Sequence, residues 1–137
     1  LLATGAHRPP RRPGVRTVRC GFSTADGRSA ARRALAGDER PTAVFALSDA
    51  LAYGAYMACA DLELDIPGDV AVAGFDDHPL SALVAPPLTS VSWDTAAAAA
   101  AAASMLVGAI EEGRRGGELV VPPRLRPRRS TAAQPRV

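Results

Sequence analysis

Asp76, Asp77 and His78 stand together at the end of the stretch DVAVAGFDDH, residues 69–78, and are the first residues in the chain with the types and spacing to handle a polar ligand. Ahead of them Val70, Ala71, Val72 and Ala73 form a short apolar run with no charge on either face. That run predicts a strand buried on both sides, as in a parallel sheet with helices above and below. Gly74 and Phe75 then carry the chain to the strand's carboxyl end, where open α/β folds bind ligands. The same two aspartates also suit a plain turn before Pro79, since Asp is a common turn and cap residue. His78 beside two carboxylates raises acid–base chemistry. No nucleophile, metal-spaced cluster or phosphate-binding glycine loop accompanies it, so catalysis is not expected.

Composition narrows the field. The chain has 137 residues, enough for one domain with a real core. Apolar residues make up 47%, aromatics are few and alanine is abundant, which predicts a core of small aliphatic side chains. A net charge of +2 is too small to imply a nucleic-acid surface. Cys20 and Cys59 show no CxxC spacing and are expected as buried thiols in a reducing, cytoplasmic compartment. No run reaches the roughly 18 apolar residues of a membrane span. The start, LLATGAHRPPRRPGVR, lacks the basic-then-apolar order of a signal peptide. The first residue is not Met, and a piece of a longer protein or a processed product is expected.

Residues 1–14 read as a loop or connector rich in Pro and Gly. Val15–Cys20 alternates and predicts a short strand. A helix follows to about Ala36, capped by Ser23 or Thr24, with Ala30, Ala31, Ala34 and Leu35 as its apolar stripe and Arg28, Arg32 and Arg33 facing water. Ala43–Leu47 predicts a second buried strand. Ser48 or Asp49 then caps a helix over 50–62 that is apolar almost all round, and such a helix must be sandwiched in the fold or covered by a partner. The run 70–74 is the third strand and 79–83 a short helical piece. Leu88–Val91 is the fourth strand. A long helix over 95–112 is capped by Asp94 and holds eight successive alanines, Ala96–Ala103. Strands are predicted at 118–121 and 125–130. The arginines of this last stretch read as solvated edge residues, and 132–137 as a loose tail. Alternation of strand and helix predicts an α/β domain with a mainly parallel sheet flanked by helices.

Four stretches in order, PTAVFALSDALAYGA (41–55), IPGDVAVAGFDD (66–77), PPLTSV (86–91) and RRST (128–131), resemble the regulatory domain of lac repressor/galactose repressor transcription factors. The resemblance covers about residues 15–131. It implies a type I periplasmic-binding-protein-like fold, in which two α/β subdomains close on a small effector, often a sugar or a purine. Residues 15–131 would be the C-terminal subdomain, with the helix over 94–112 crossing to pack on a first subdomain. Position by position, Asp76 matches the family's ligand aspartate, and an ionised carboxylate accepts two hydroxyl hydrogen bonds from a polyol. Phe22 matches the aromatic that packs on the effector ring. Ser48 stands where the family commonly has an asparagine, and is shorter with one donor instead of two. Trp93 falls at the hinge and either lines the cleft or fills a core or interface.

The resemblance also implies a homodimer through Tyr53, Tyr56 and Met57 on one helix and Leu80, Leu83 and Val84 after the paired aspartates. DNA would be read only by a headpiece absent from this chain. The expected function is therefore effector sensing and dimerisation in a transcriptional repressor, with no cofactor, no metal and no membrane. A solute-binding protein feeding a transporter shares the fold and would use Asp76 in the same way. It requires export, and the repressor-like wording of 41–50 and 86–91 argues against it.

Overall fold

A computed structural model describes residues 14–37, 39–111, 113 and 117–132. Most of the connector at 1–14 and of the tail at 132–137 therefore lies outside the described residues. The order of elements is α1 (Thr24–Leu35), β1 (Ala43–Phe45), α2 (Asp49–Asp61), β2 (Ala71–Phe75), a 3-10 turn (Pro79–Ala82), β3 (Thr89–Ser92), α3 (Thr95–Glu111) and β4 (Arg124–Arg126). The four strands form one sheet in the order β1-β2-β3-β4. β1, β2 and β3 are parallel, and β4 pairs antiparallel to β3 through Val91 opposite Leu125. The mainly parallel α/β architecture expected from the alternation is present. No helix among the described residues is long and apolar enough to cross a membrane.

The core forms where α1 and α2 meet the sheet. Ala31 and Leu35 from α1, Ala52, Ala55, Ala58 and Cys59 from α2, Val70, Val72 and Leu88 make one buried cluster. It is built of small aliphatic side chains, as the composition predicts. Two glycines set the helix spacing. A Cβ on Gly27 would come within 2.6 Å of the Leu51 carbonyl oxygen, and one on Gly54 would run into the backbone of Thr24 to Arg28. The two helices therefore pack backbone to backbone, an approach that only glycine permits. Arg28 and Arg32 lock the far end by donating to the Asp61 carboxylate at 2.6–3.1 Å. The hydrogen bond from Arg28 holds the Asp61 carboxyl below its ordinary value. These two arginines are thus ion-paired across helices, where the sequence reading had them simply facing water.

Several other expectations are corrected. Val15–Cys20 is not a strand: the segment is exposed along its length. Its alternation meets no ladder among the described residues, and its tie to α1 runs from the Arg16 guanidinium to the Ala34 carbonyl. Cys20 on this segment is exposed, so only Cys59 is a buried thiol, pushed up to about 11 by burial. β1 is shorter than Ala43–Leu47 and only Val44 is partly buried, because β1 is an edge strand and Phe45 points from its uncovered face with 58% exposure. β2 is not buried on both sides: Val72 and Gly74 face the core, while Ala71, Ala73 and Phe75 are half-buried on the opposite face. Residues 118–121 form no strand, and the last strand is confined to Arg124–Arg126 before Pro127, which has no N–H to extend the ladder.

α3 forms where expected, with the Asp94 carboxylate accepting from Ala97 N at 2.8 Å. Of its seventeen residues only Gly108 is buried.

Candidate functional site

Parallel pairing brings the carboxyl ends of β1, β2 and β3 to one edge of the sheet. Each end leads straight into a residue singled out from the sequence: Ser48 after β1, Asp76 after β2 and Trp93 after β3. Phe22 reaches the same end by another route. It sits just before Ser23, the cap of α1, and the first turns of α1 and α2 pack together through Gly27 and Leu51. Phe22 is 83% exposed and Trp93 42% exposed, so both rings are available to a ligand and neither is a core residue.

Ser23 and Asp26 explain why Phe22 is held so far out. Ser23 Oγ accepts from Asp26 N, and the Asp26 carboxylate accepts from both Ser23 N and Ser23 Oγ. This reciprocal capping box fixes the entry into α1. Ser48 is less free. It is the N-cap of α2, and its hydroxyl accepts from Leu51 N at 3.3 Å.

The turn at Asp76 and Asp77 has an unusual backbone. Asp76 lies at φ +109° and Asp77 at φ +52°. A non-glycine residue far into positive φ costs of order 1–3 kcal/mol and persists only where its surroundings over-determine it. The surroundings here are specific. Asp76 N donates to Val91 O at 2.9 Å, which continues the β2–β3 ladder into the turn. Asp77 N donates to Ser90 Oγ at 3.1 Å. The Asp77 carboxylate meets Arg128 at 2.7 Å and Arg126 at 3.7 Å. Asp77 is thereby neutralised by Arg128 just past the last strand and by Arg126 within it, whereas among the described residues the exposed Asp76 carboxylate has neither a hydrogen bond nor an ion pair. The two adjacent acids have separate roles: Asp77 anchors the turn and Asp76 is presented to solvent.

His78 has a local structural contact in this arrangement. Its Nδ1 accepts from Leu80 N and caps the 3-10 turn. Among the described residues, no group of three His, Cys, Asp or Glu side chains is placed to hold a metal ion.

Sequence reasoning missed the residue behind the site. Asp49, expected as a helix cap, is 1% exposed and points into the domain. Its Oδ2 accepts from His78 N at 2.8 Å and from Ser81 Oγ at 2.5 Å, and its Oδ1 accepts from Ser90 Oγ at 2.6 Å. Tyr53 OH lies 2.8 Å from Ser81 Oγ and, with the serine proton directed at Asp49, is the donor. One signal for this was present: Ser48 already supplies the cap, so a second acceptor at position 49 is redundant for capping.

Arg128 was missed too. Far from being a solvated edge residue, it donates to Leu88 O and to Asp77 Oδ1. Its neighbour Ser130 is fully buried, donates to Val72 O at 2.6 Å and accepts from Thr89 N at 2.8 Å. The RRST stretch is therefore stitched between β2 and β3.

Trp93 also lines an open cleft of about 540 Å³ with Asp94, Ala97, Ala101 and the segment Leu119–Pro122. Asp76 is not among its lining residues. The expected interface residues divide. Tyr53 and Tyr56 are partly buried, with the Tyr56 hydroxyl donating to Pro86 O at 2.9 Å and burial pushing that phenol up to about 12. Val84 packs on the core, while Met57, Leu80 and Leu83 are exposed.

The family model of the periplasmic binding protein-like domain matches residues 4–131. The transcriptional regulator MalR of Streptomyces coelicolor is 52% identical over 68 residues, which are 50% of this chain and 20% of MalR. The ribose operon repressor of Escherichia coli is 43% identical over 70 residues, 51% of this chain and 21% of the repressor. A crystal structure of a LacI family transcriptional regulator from Enterococcus faecium with bound ribose superposes with a TM-score of 0.76 at 28% identity, covering 84% of this chain and 42% of that one. The matched stretch spans about a fifth of the length of these curated relatives.

Proposed function

The chain belongs to the periplasmic-binding-protein-like domain family, in the form found in LacI-type regulators, and from that premise we propose that it is the effector-sensing and dimerisation portion of a DNA-binding transcriptional regulator. Asp76 carries the reading. An exposed carboxylate, unpaired among the described residues, on a strained turn at the carboxyl end of a parallel strand suits a ligand with adjacent hydroxyls, such as a sugar or the ribose of a nucleoside. Phe22 and Trp93 would pack on the ring of that ligand, and Ser48 would add at most one polar contact beyond its capping bond. A ribose-bound relative in the same family supports the ligand class.

These residues form one wall of a cleft. The opposite wall and the DNA-reading headpiece would come from outside the 137 residues, and the protein would work in the cytoplasm without chemistry of its own. Effector binding would shift the population of closed and open arrangements and, through a homodimer, the spacing of the headpieces. Met57, Leu80 and Leu83, exposed and apolar, are the centre of the proposed dimer face, with Tyr53, Tyr56 and Val84 behind them.

The test is a titration of the isotope-labelled chain with D-ribose, followed by amide spectra. The expected result is weak, millimolar-range binding, with shifts at Asp76, Phe22 and Trp93 that vanish in Asp76→Ala. No shift at these three residues with ribose, other sugars or nucleosides would overturn the sensor reading, and low-micromolar affinity would overturn the one-walled cleft.

A further inference from the structure

We infer that Asp49 is the positioning residue of the ligand turn: from inside the core its carboxylate holds both the backbone of His78 and, through Ser90, the backbone of Asp77, and so sets the direction in which Asp76 is presented. The ligand role of Asp76 rests on the sensor reading above; the hold of Asp49 on the turn does not.

Three observations converge. First, the two carboxylate oxygens divide their work between the two residues that follow Asp76. Oδ2 takes the His78 N–H directly, and Oδ1 takes the Ser90 hydroxyl, whose oxygen in turn accepts the Asp77 N–H. Because Ser90 both donates and accepts, the chain Asp77 N to Ser90 Oγ to Asp49 Oδ1 runs in one direction with every hydrogen assigned. Second, the carboxylate is almost wholly out of solvent and its orientation is fixed from the far side by Ser81, itself bonded to Tyr53. Third, the glycine of the GFDD stretch makes the room. A Cβ at Gly74 would land on the Asp49 carboxylate and press on Leu88. Gly74 is therefore needed for the space it leaves to a side chain on α2, and its φ is not in the positive range.

The consequence is that the positive-φ backbone at Asp76 and Asp77 is held by bonds to other elements in addition to any local turn preference. Hydrogen bonds to a buried charged acceptor are the strong kind, and they lose their strength if the acceptor is neutral or misplaced.

Amide hydrogen exchange on the folded chain reads this arrangement residue by residue. Asp49→Ala removes both acceptor oxygens at once, so neither arm keeps its partner on α2. The expected result is roughly 10- to 100-fold faster exchange at Asp77 and His78, with Val72, which bonds Ser130 O, and Gly27 in α1 unchanged. Ser90→Ala cuts a single arm, and Asp77 alone should accelerate while His78 keeps its protection. Unchanged exchange at Asp77 and His78 would overturn the proposal. Uniform acceleration across the domain would do so as well, since Asp49 would then only stabilise the fold. Adding D-ribose to the same wild-type sample tests the sensor reading separately: a silent Asp76 with the exchange pattern intact would remove the ligand role and leave the hold of Asp49 standing.

Discussion

The turn at Asp76–Asp77 and helix α3 are organised by opposite means. The turn is tied to residues 13, 29 and 51 positions away through Ser90, Asp49 and Arg128. α3 is the reverse case. Eight successive alanines and an Asp94 cap make it form from its own sequence, but only Gly108 of its seventeen residues is buried. Leu106, Val107 and Ile110 on it are exposed. One region is specified by long-range polar bonds and the other by short-range propensity, and mutations should separate them.

The sharpest break should come at the helix pair that supports the turn. Gly54→Ala drives a methyl group into the backbone of α1, and overpacking against backbone should destabilise the domain by about 3 kcal/mol, measured by urea unfolding. A loss below ~1 kcal/mol would mean that α1 and α2 can slide apart without disturbing the core. Next is Ser130→Ala, which leaves the buried Thr89 N–H and the Val72 carbonyl without their side-chain partner and should cost about 2 kcal/mol. An unchanged urea midpoint would show that Ser130 contributes nothing to the seam between β2 and β3. The smallest effect is expected in α3. Ala100→Gly should cost about 1 kcal/mol of local helix stability, seen as reduced helical signal, with the unfolding midpoint of the sheet and the α1–α2 pair unmoved. A joint fall of both would contradict the separation drawn here.

Much of the fold was legible because its signals are local. Ser23 and Ser48 announce the helix starts, the alanine run announces α3, and the apolar stretches at 43–47 and 70–74 announce parallel strands. The strand errors have a common cause. Val15–Cys20 and 118–121 carry strand-like composition, but a strand exists only with a partner, and neither segment has a ladder among the described residues. Val70–Gly74 reads as buried on both faces, yet α1 and α2 cover only one.

Phe22, Trp93 and Asp76 were named from motif and order alone; of these, the parallel pairing of β2 and β3 places the chain positions of Asp76 and Trp93 at one end of the sheet. By itself the sequence determined the helices, the parallel strands, their order and the family to which the chain belongs, because propensity, capping and motif spacing act within a few residues. Only the tertiary structure decided that Asp49 faces inward, that Asp77 is claimed by Arg128 while Asp76 is not, and that Ser130 is inserted between two strands. Those outcomes depend on which polar groups the fold brings within hydrogen-bond reach across 29 to 58 residues of chain, a distance over which no local pattern carries the information.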